Sequence, residues 1–187
     1  MNSESKNNVH SDIARIVVSK TQIAKRVSEL ADEISRDFST NEITLVFALT
    51  GALHFASDLV RALPMNIRIQ PIAVQSYPNR SVRSQEIQLK LDLTEKLTDR
   101  HVIFVDDIFD SGKTADFVAK RILEHNPASL KNCMLLKKNR PDLESRPEIC
   151  DYFGFEIPDE FVVGYGLDFD GLYRNLPYIG VLAEHAR

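Results

Sequence analysis

Cysteine, surplus positive charge and long apolar runs are all scarce in this chain, and each shortage removes a class of protein. Its 187 residues include two cysteines, Cys133 and Cys150. These are too few for a disulfide framework, and no C-x-x-C or clustered Cys/His spacing suggests structural zinc, so free thiols in a reducing cytoplasm are expected. Lys and Arg number 23 against 27 Asp and Glu, a net charge of −4. No global basic field is available to hold a phosphate backbone, and no nucleic-acid partner is expected. No apolar run approaches the roughly 18 residues of a membrane helix. The polar N-terminus lacks the apolar core of a signal peptide. The expectation is a cytoplasmic protein without a membrane partner.

What is present is an ordinary globular composition, 43% hydrophobic and 27% charged, without internal repeats or low-complexity segments. The length suits one domain, read as a frayed tail over 1–10 and a single domain over 11–187. Ser19-Lys20-Thr21-Gln22 is a capping box. Ile23, Val27, Leu30 and Ile34 follow at helical spacing. Ile43 to Leu49 carries few polar residues, as a strand buried on both faces of a parallel sheet does. Thr50-Gly51 turns into a helix marked by Ala52, Phe55, Ala56, Leu59, Val60 and Leu63, which Pro64 ends. A strand is predicted over 67–74, with Pro71 at an edge or bulge. The polar stretch from Gln75 to Arg100 allows a small hairpin or a mobile loop, and a mobile flap over about 75–92 is the favoured reading. His101 to Val105 reads as a strand, Asp106 to Lys113 as a loop, and Ala115 to Leu123 as a helix. Further strands are expected over 132–136 and near 152–154, 161–164 and 179–182. This order predicts an α/β fold with a mainly parallel, doubly wound sheet flanked by helices.

The densest chemistry lies in Val102-Ile103-Phe104-Val105-Asp106-Asp107-Ile108-Phe109-Asp110-Ser111-Gly112-Lys113-Thr114, a buried strand followed by three carboxylates and a small-residue turn into a helix. Ligands of open α/β sheets bind at the carboxyl ends of strands. The turn can aim amides, hydroxyls and a helix dipole at a phosphate. Gly112-Lys113-Thr114 ends like a nucleoside-triphosphate loop, but Asp107 stands where that loop requires glycine. The adjacent carboxylates of Asp106 and Asp107 suit the vicinal hydroxyls of a ribose or a hard cation.

This stretch resembles the motif that binds phosphoribosyl pyrophosphate (PRPP) in type I phosphoribosyltransferases. The segments Gly154 to Asp168 and Tyr173 to Leu182 resemble the hypoxanthine (-guanine) branch of that family. The resemblance implies the type I fold with a small hood built from the terminal segments, and Mg²⁺-dependent transfer of phosphoribosyl from PRPP to hypoxanthine, with guanine expected too, giving IMP or GMP. It implies PRPP binding by Asp106, Asp107, Asp110, Ser111, Gly112, Lys113 and Thr114, with Asp110 also acting as general acid/base at purine N7. It implies a pyrophosphate site at Leu49, Thr50, Gly51 and Arg174, where a non-proline cis peptide is usual; Thr50 replaces the family's common lysine. Lys138 would donate to the purine 6-oxo group, with Lys137 as the register alternative. Phe161 would stack on the base, and Val162 would offer a backbone carbonyl. Asp106, Asp107 and Asp168 would hold Mg²⁺, and Ser76 and Tyr77 would begin a closing flap. A homodimer or homotetramer is implied. Other readings of the same residues remain: a turn or N-cap for Asp110, an ordinary turn at Thr50-Gly51, a solvated basic turn for Lys137 to Arg140, core packing for Phe161 and Val162, and a surface turn for Asp168. The alternatives in function are a regulatory nucleic-acid-binding protein of the same fold, against which the net charge counts, or transfer to another base such as xanthine.

Overall fold

The computed structural model describes residues 9–38, 42–77, 86–140 and 150–187. The expected tail, apart from Val9 and His10, lies outside them. Strand β1 (Ile13–Val18) precedes helix α1 (Lys20–Asp37), and both halves of the predicted capping box form. Gln22 N–H donates to the Ser19 hydroxyl at 3.3 Å and Ser19 N–H donates to Gln22 Oε1 at 2.9 Å, which satisfies amides that the first helical turn leaves unpaired. The predicted stripe of Ile23, Val27, Leu30 and Ile34 is the buried face, joined by Ala31.

Strand β2 (Ile43–Leu49), helix α2 (Leu53–Ala62) and strand β3 (Ile67–Tyr77) form the first crossover unit, and β4 (Glu86–Leu91) folds back antiparallel on β3. Strand β5 (His101–Phe109), helix α3 (Lys113–Leu123), β6 (Ser129–Lys138) and β7 (Tyr152–Ile157) complete a six-stranded sheet in the order β4-β3-β2-β5-β6-β7. Its neighbours are parallel except for β3 and β4. Alternation along the strands divides the core between the two faces. Ile43, Leu45, Ile103, Val105, Cys133 and Leu135 pack with α1 and α2, whereas Val46, Val102, Phe104 and Met134 pack with α3. The sheet is therefore covered on both sides, as its apolar strands require.

A second sheet, β1-β9-β8, joins the two ends of the chain through β9 (Ile179–Leu182) and β8 (Val162–Val163), and is the expected hood. Its strand β1 carries no clear signal in the sequence. The segment read as a flap is a hairpin in its described parts, because Ser76 and Tyr77 pair with Ile87 and Glu86. Alternating apolar residues at Ile87, Leu89 and Leu91 suffice to extend the sheet by one strand. Residues 78–85 and the side chains of Ser76 and Tyr77 lie outside the described residues. Pro71 sits beyond the reach of β4, on a stretch of β3 paired only with β2, the one-sided setting in which a residue without an N–H is tolerated.

Candidate active site

Strand β5 runs past its neighbour, and this opens the site. Its pairing with β2 ends at Val105, while its pairing with β6 continues to Phe109. Asp106 and Asp107 therefore stand on the strand, where the sequence suggested a loop, just beyond the last residue of β5 that pairs with β2, whose chain turns two residues further on through Thr50, Gly51 and Ala52. The Leu49–Thr50 peptide is cis. Gly112 caps α3 in the left-handed region at φ 74°, a conformation glycine adopts without steric cost.

Two cavities meet at this carboxyl edge. The larger, about 370 Å³, is lined by Leu49, Gly51, Asp106, Asp107, Asp110, Ser111, Gly112, Thr114, Asp168 and Arg174, with Val74 from β3. The smaller, about 240 Å³, is lined by Lys138, Phe161 and Val162 together with Asp107, Asp110 and Asp168, which also line the first. Thr50 and Lys113 line neither cavity and are exposed.

Asp106 is buried and its Oδ1 accepts the Asp107 N–H at 2.9 Å. Burial, followed by the Asp107 charge, pushes its carboxyl well above the usual carboxylate range. Burial raises Asp107 as well, but the Asp106 hydrogen bond and the Arg174 charge favour its ionised form. Asp107 also lies against the turn after β2, for a Cβ built on Gly51 would be 1.8 Å from its Oδ2.

The hood supplies the facing wall. Arg174 donates to the Gly166 carbonyl at 2.6 Å and pairs with Asp168 at 2.7 Å, and the other Asp168 oxygen accepts the Gly171 N–H at 2.8 Å. The residue expected to hold pyrophosphate thus neutralises one expected to hold a metal. Among the described residues, no three or more His, Cys, Asp or Glu side chains gather into a metal cluster. Mg²⁺ commonly takes only one or two carboxylates and completes its shell with phosphate oxygens and water. The Asp106–Asp107 pair, all acceptors when ionised and raised by burial, fits such an ion.

Lys138 ends β6 in the smaller cavity, 3.0 Å from Asp159 Oδ1 and 3.5 Å from Asp110 Oδ2. Lys137 turns away, with its ammonium 5.4 Å from the centre of the Phe153 ring. Phe161 is 50% exposed and meets Phe169 edge to face at 5.7 Å. That exposure excludes the core-packing alternative for Phe161, whereas Val162 is buried. Sequence reading missed Arg140 and Asp159. Arg140 donates to Asp110 Oδ1 at 2.9 Å. The available signal was its position two residues beyond Lys138 in extended chain, which returns a side chain to the same face.

The architecture is that of a type I phosphoribosyltransferase, and a family model described as a phosphoribosyl transferase domain matches residues 16–170. A hypoxanthine-guanine phosphoribosyltransferase of Streptococcus pneumoniae is 38% identical over 176 residues, 94% of this chain and 97% of that protein. One from Mycobacterium tuberculosis is 38% identical over 178 residues, covering 91% and 87%. The crystal structure of a Bacillus anthracis hypoxanthine-guanine phosphoribosyltransferase superposes with a TM-score of 0.85 at 38% identity, covering 91% of this chain and 99% of the other. The chain belongs to the hypoxanthine-guanine phosphoribosyltransferase family.

Proposed function

We propose that this chain transfers the 5-phosphoribosyl group of PRPP to hypoxanthine and guanine, in purine salvage, releasing pyrophosphate and forming IMP or GMP. The observation that carries this reading is the meeting of two cavities at Asp107, Asp110 and Asp168. A phosphorylated sugar in the larger one would present its anomeric carbon to a base in the smaller. In the reaction a purine ring nitrogen bonds to C1′, the bond from C1′ to the pyrophosphate oxygen breaks, and a proton leaves the purine.

Ser111, Gly112 and Thr114 would hold the 5′-phosphate with hydroxyls and amides at the start of α3. Asp106 and Asp107 would accept from the ribose hydroxyls. Lys113 would contribute only through its backbone, and Thr50 likewise. Asp110 reaches both cavities, as the group exchanging the proton at N7 must. Lys138 can only donate, which favours a 6-oxo over a 6-amino purine. Phe161 presents an exposed ring for stacking. Mg²⁺ held by Asp106 and Asp107, with a second ion at Asp168, would offset charge on the leaving pyrophosphate. Arg174, whose terminal nitrogens are engaged by Gly166 and Asp168, would turn its guanidinium donors to the same ligand on binding. Residues 11–187 would act as one unit, with the segment over about 75–92 closing over the site to exclude water. Assembly as a dimer or tetramer belongs to the same reading. Among the described residues no helix is long and apolar enough to cross a membrane, in keeping with a cytoplasmic enzyme.

The test is a PRPP-dependent panel over hypoxanthine, guanine, xanthine, adenine and uracil, with and without Mg²⁺. IMP formation that needs Mg²⁺, with adenine poor, is expected. PRPP binding without turnover of any base would refute the reading.

A further inference from the structure

Asp110 sits in the bend between β5 and α3 with its side chain 45% exposed. Two cations from the end of β6 restrain it. Arg140 donates from Nη1 to Oδ1 at 2.9 Å, and Lys138 Nζ lies 3.5 Å from Oδ2. Asp159 faces both cations, at 3.0 Å from Lys138 Nζ and 3.9 Å from Arg140 Nε. The four side chains form a ring of alternating sign, of which Asp110 and Lys138 line the smaller cavity. Lys138 lines that cavity and Arg140 does not. The two cations therefore cannot do the same work: Lys138 faces the base, while Arg140 grips the carboxylate from outside.

We propose that Arg140 is a positioning residue that fixes Asp110 for proton exchange with the purine. By occupying Oδ1 it leaves Oδ2 as the oxygen turned towards Lys138 and the base. When a base draws the Lys138 ammonium to its oxo group, Arg140 still holds the carboxylate in place. A charge-assisted hydrogen bond restrains a side chain more than a neutral one does, and misplacing a reacting group by about 1 Å can cost on the order of 100-fold in rate. This inference rests on the function proposed above.

The test is a double-mutant cycle on purified protein, with kcat and both KM values measured for IMP formation. Arg140→Met keeps the stem volume and removes the donor fork; it should lower kcat about 10- to 100-fold with a smaller effect on the KM for PRPP. In the Asp110→Asn background, where no proton is exchanged, the same change should cost less than about threefold, because residues acting through one another are not additive. Arg140→Lys, which keeps the charge and a donor, should recover part of the loss. Arg140→Gln provides a second uncharged variant should the methionine variant fold poorly. Equal losses in both backgrounds, or no rescue by lysine, overturn the inference while leaving the proposed function intact. Absence of turnover by the unaltered protein overturns the reading and the inference with it.

Discussion

Gly166 packs so closely on Gly51 that a Cβ at position 166 would lie 1.9 Å from the Gly51 carbonyl oxygen. This contact joins the hood to the turn after β2. The backbone at Gly166 has φ of +109°, where a side chain is strained whatever the space around it. The neighbouring Tyr165 reinforces the contact, since its hydroxyl donates to Asp58 of α2 at 2.6 Å. Gly166 N–H donates to the Arg174 carbonyl at 3.0 Å, so the geometry of this contact also sets where Arg174 starts.

Gly166→Ala should lower both stability and the affinity for pyrophosphate. A non-glycine residue in such a conformation costs about 1–3 kcal/mol, or several degrees in Tm for a chain of this size. Thermal melts and pyrophosphate titrations check this, and an unchanged melting temperature would show that the hood is not tightly seated on the turn.

Gly51→Val should damage turnover far more than Thr50→Lys. A side chain at position 51 drives into the Asp107 carboxylate, a different obstacle from the ligand crowding that the sequence suggests. The exposed Thr50 side chain lines neither cavity, so a lysine there adds a solvated charge and should change PRPP affinity by less than about tenfold, about 1.4 kcal/mol. A large gain from the lysine and little loss from the valine would mean that pyrophosphate binds elsewhere.

Phe161→Ala should raise the KM for purine about 3- to 10-fold, the scale of one aromatic contact of about 0.5–1.5 kcal/mol, and leave Tm nearly unchanged because the ring is half exposed. A marked fall in Tm with an unchanged KM would make the ring a structural element of the hood.

Acid should weaken the join between α1 and β7. The Tyr152 hydroxyl, followed by Lys131, holds the Asp37 carboxyl below its usual range. A group whose folded value is depressed contributes in full above its unfolded value, about 3.9. The contribution fades as pH falls through the lower folded value. Asp37 is 45% exposed, so solvent screening limits the effect to about 1 kcal/mol or less. Tyr152→Phe should flatten the acid limb of a stability profile measured between about pH 5 and pH 2. An identical acid limb in the variant would assign acid sensitivity to other groups.

The sequence alone determined the helix stripes, the capping box, the parallel strands and the small-residue turn into α3, because each rests on spacing within a few residues. It left β1 unmarked, since Ile13-Ala14-Arg15-Ile16-Val17-Val18 lacks strict alternation and becomes a strand by pairing with β9, more than 160 residues away. It also ended β5 at Val105, for only the departure of β2 and the continuation of β6 keep Asp106 and Asp107 on the strand. Tertiary structure alone separated Lys138 from Lys137, because neighbouring residues of a strand face opposite sides and only the hood beside β6 makes one side a cavity. It brought Arg140 to Asp110 and Gly166 to Gly51 for the same reason. These pairs are distant along the chain, and no local pattern encodes a contact that exists only when sheet, hood and loops share one space.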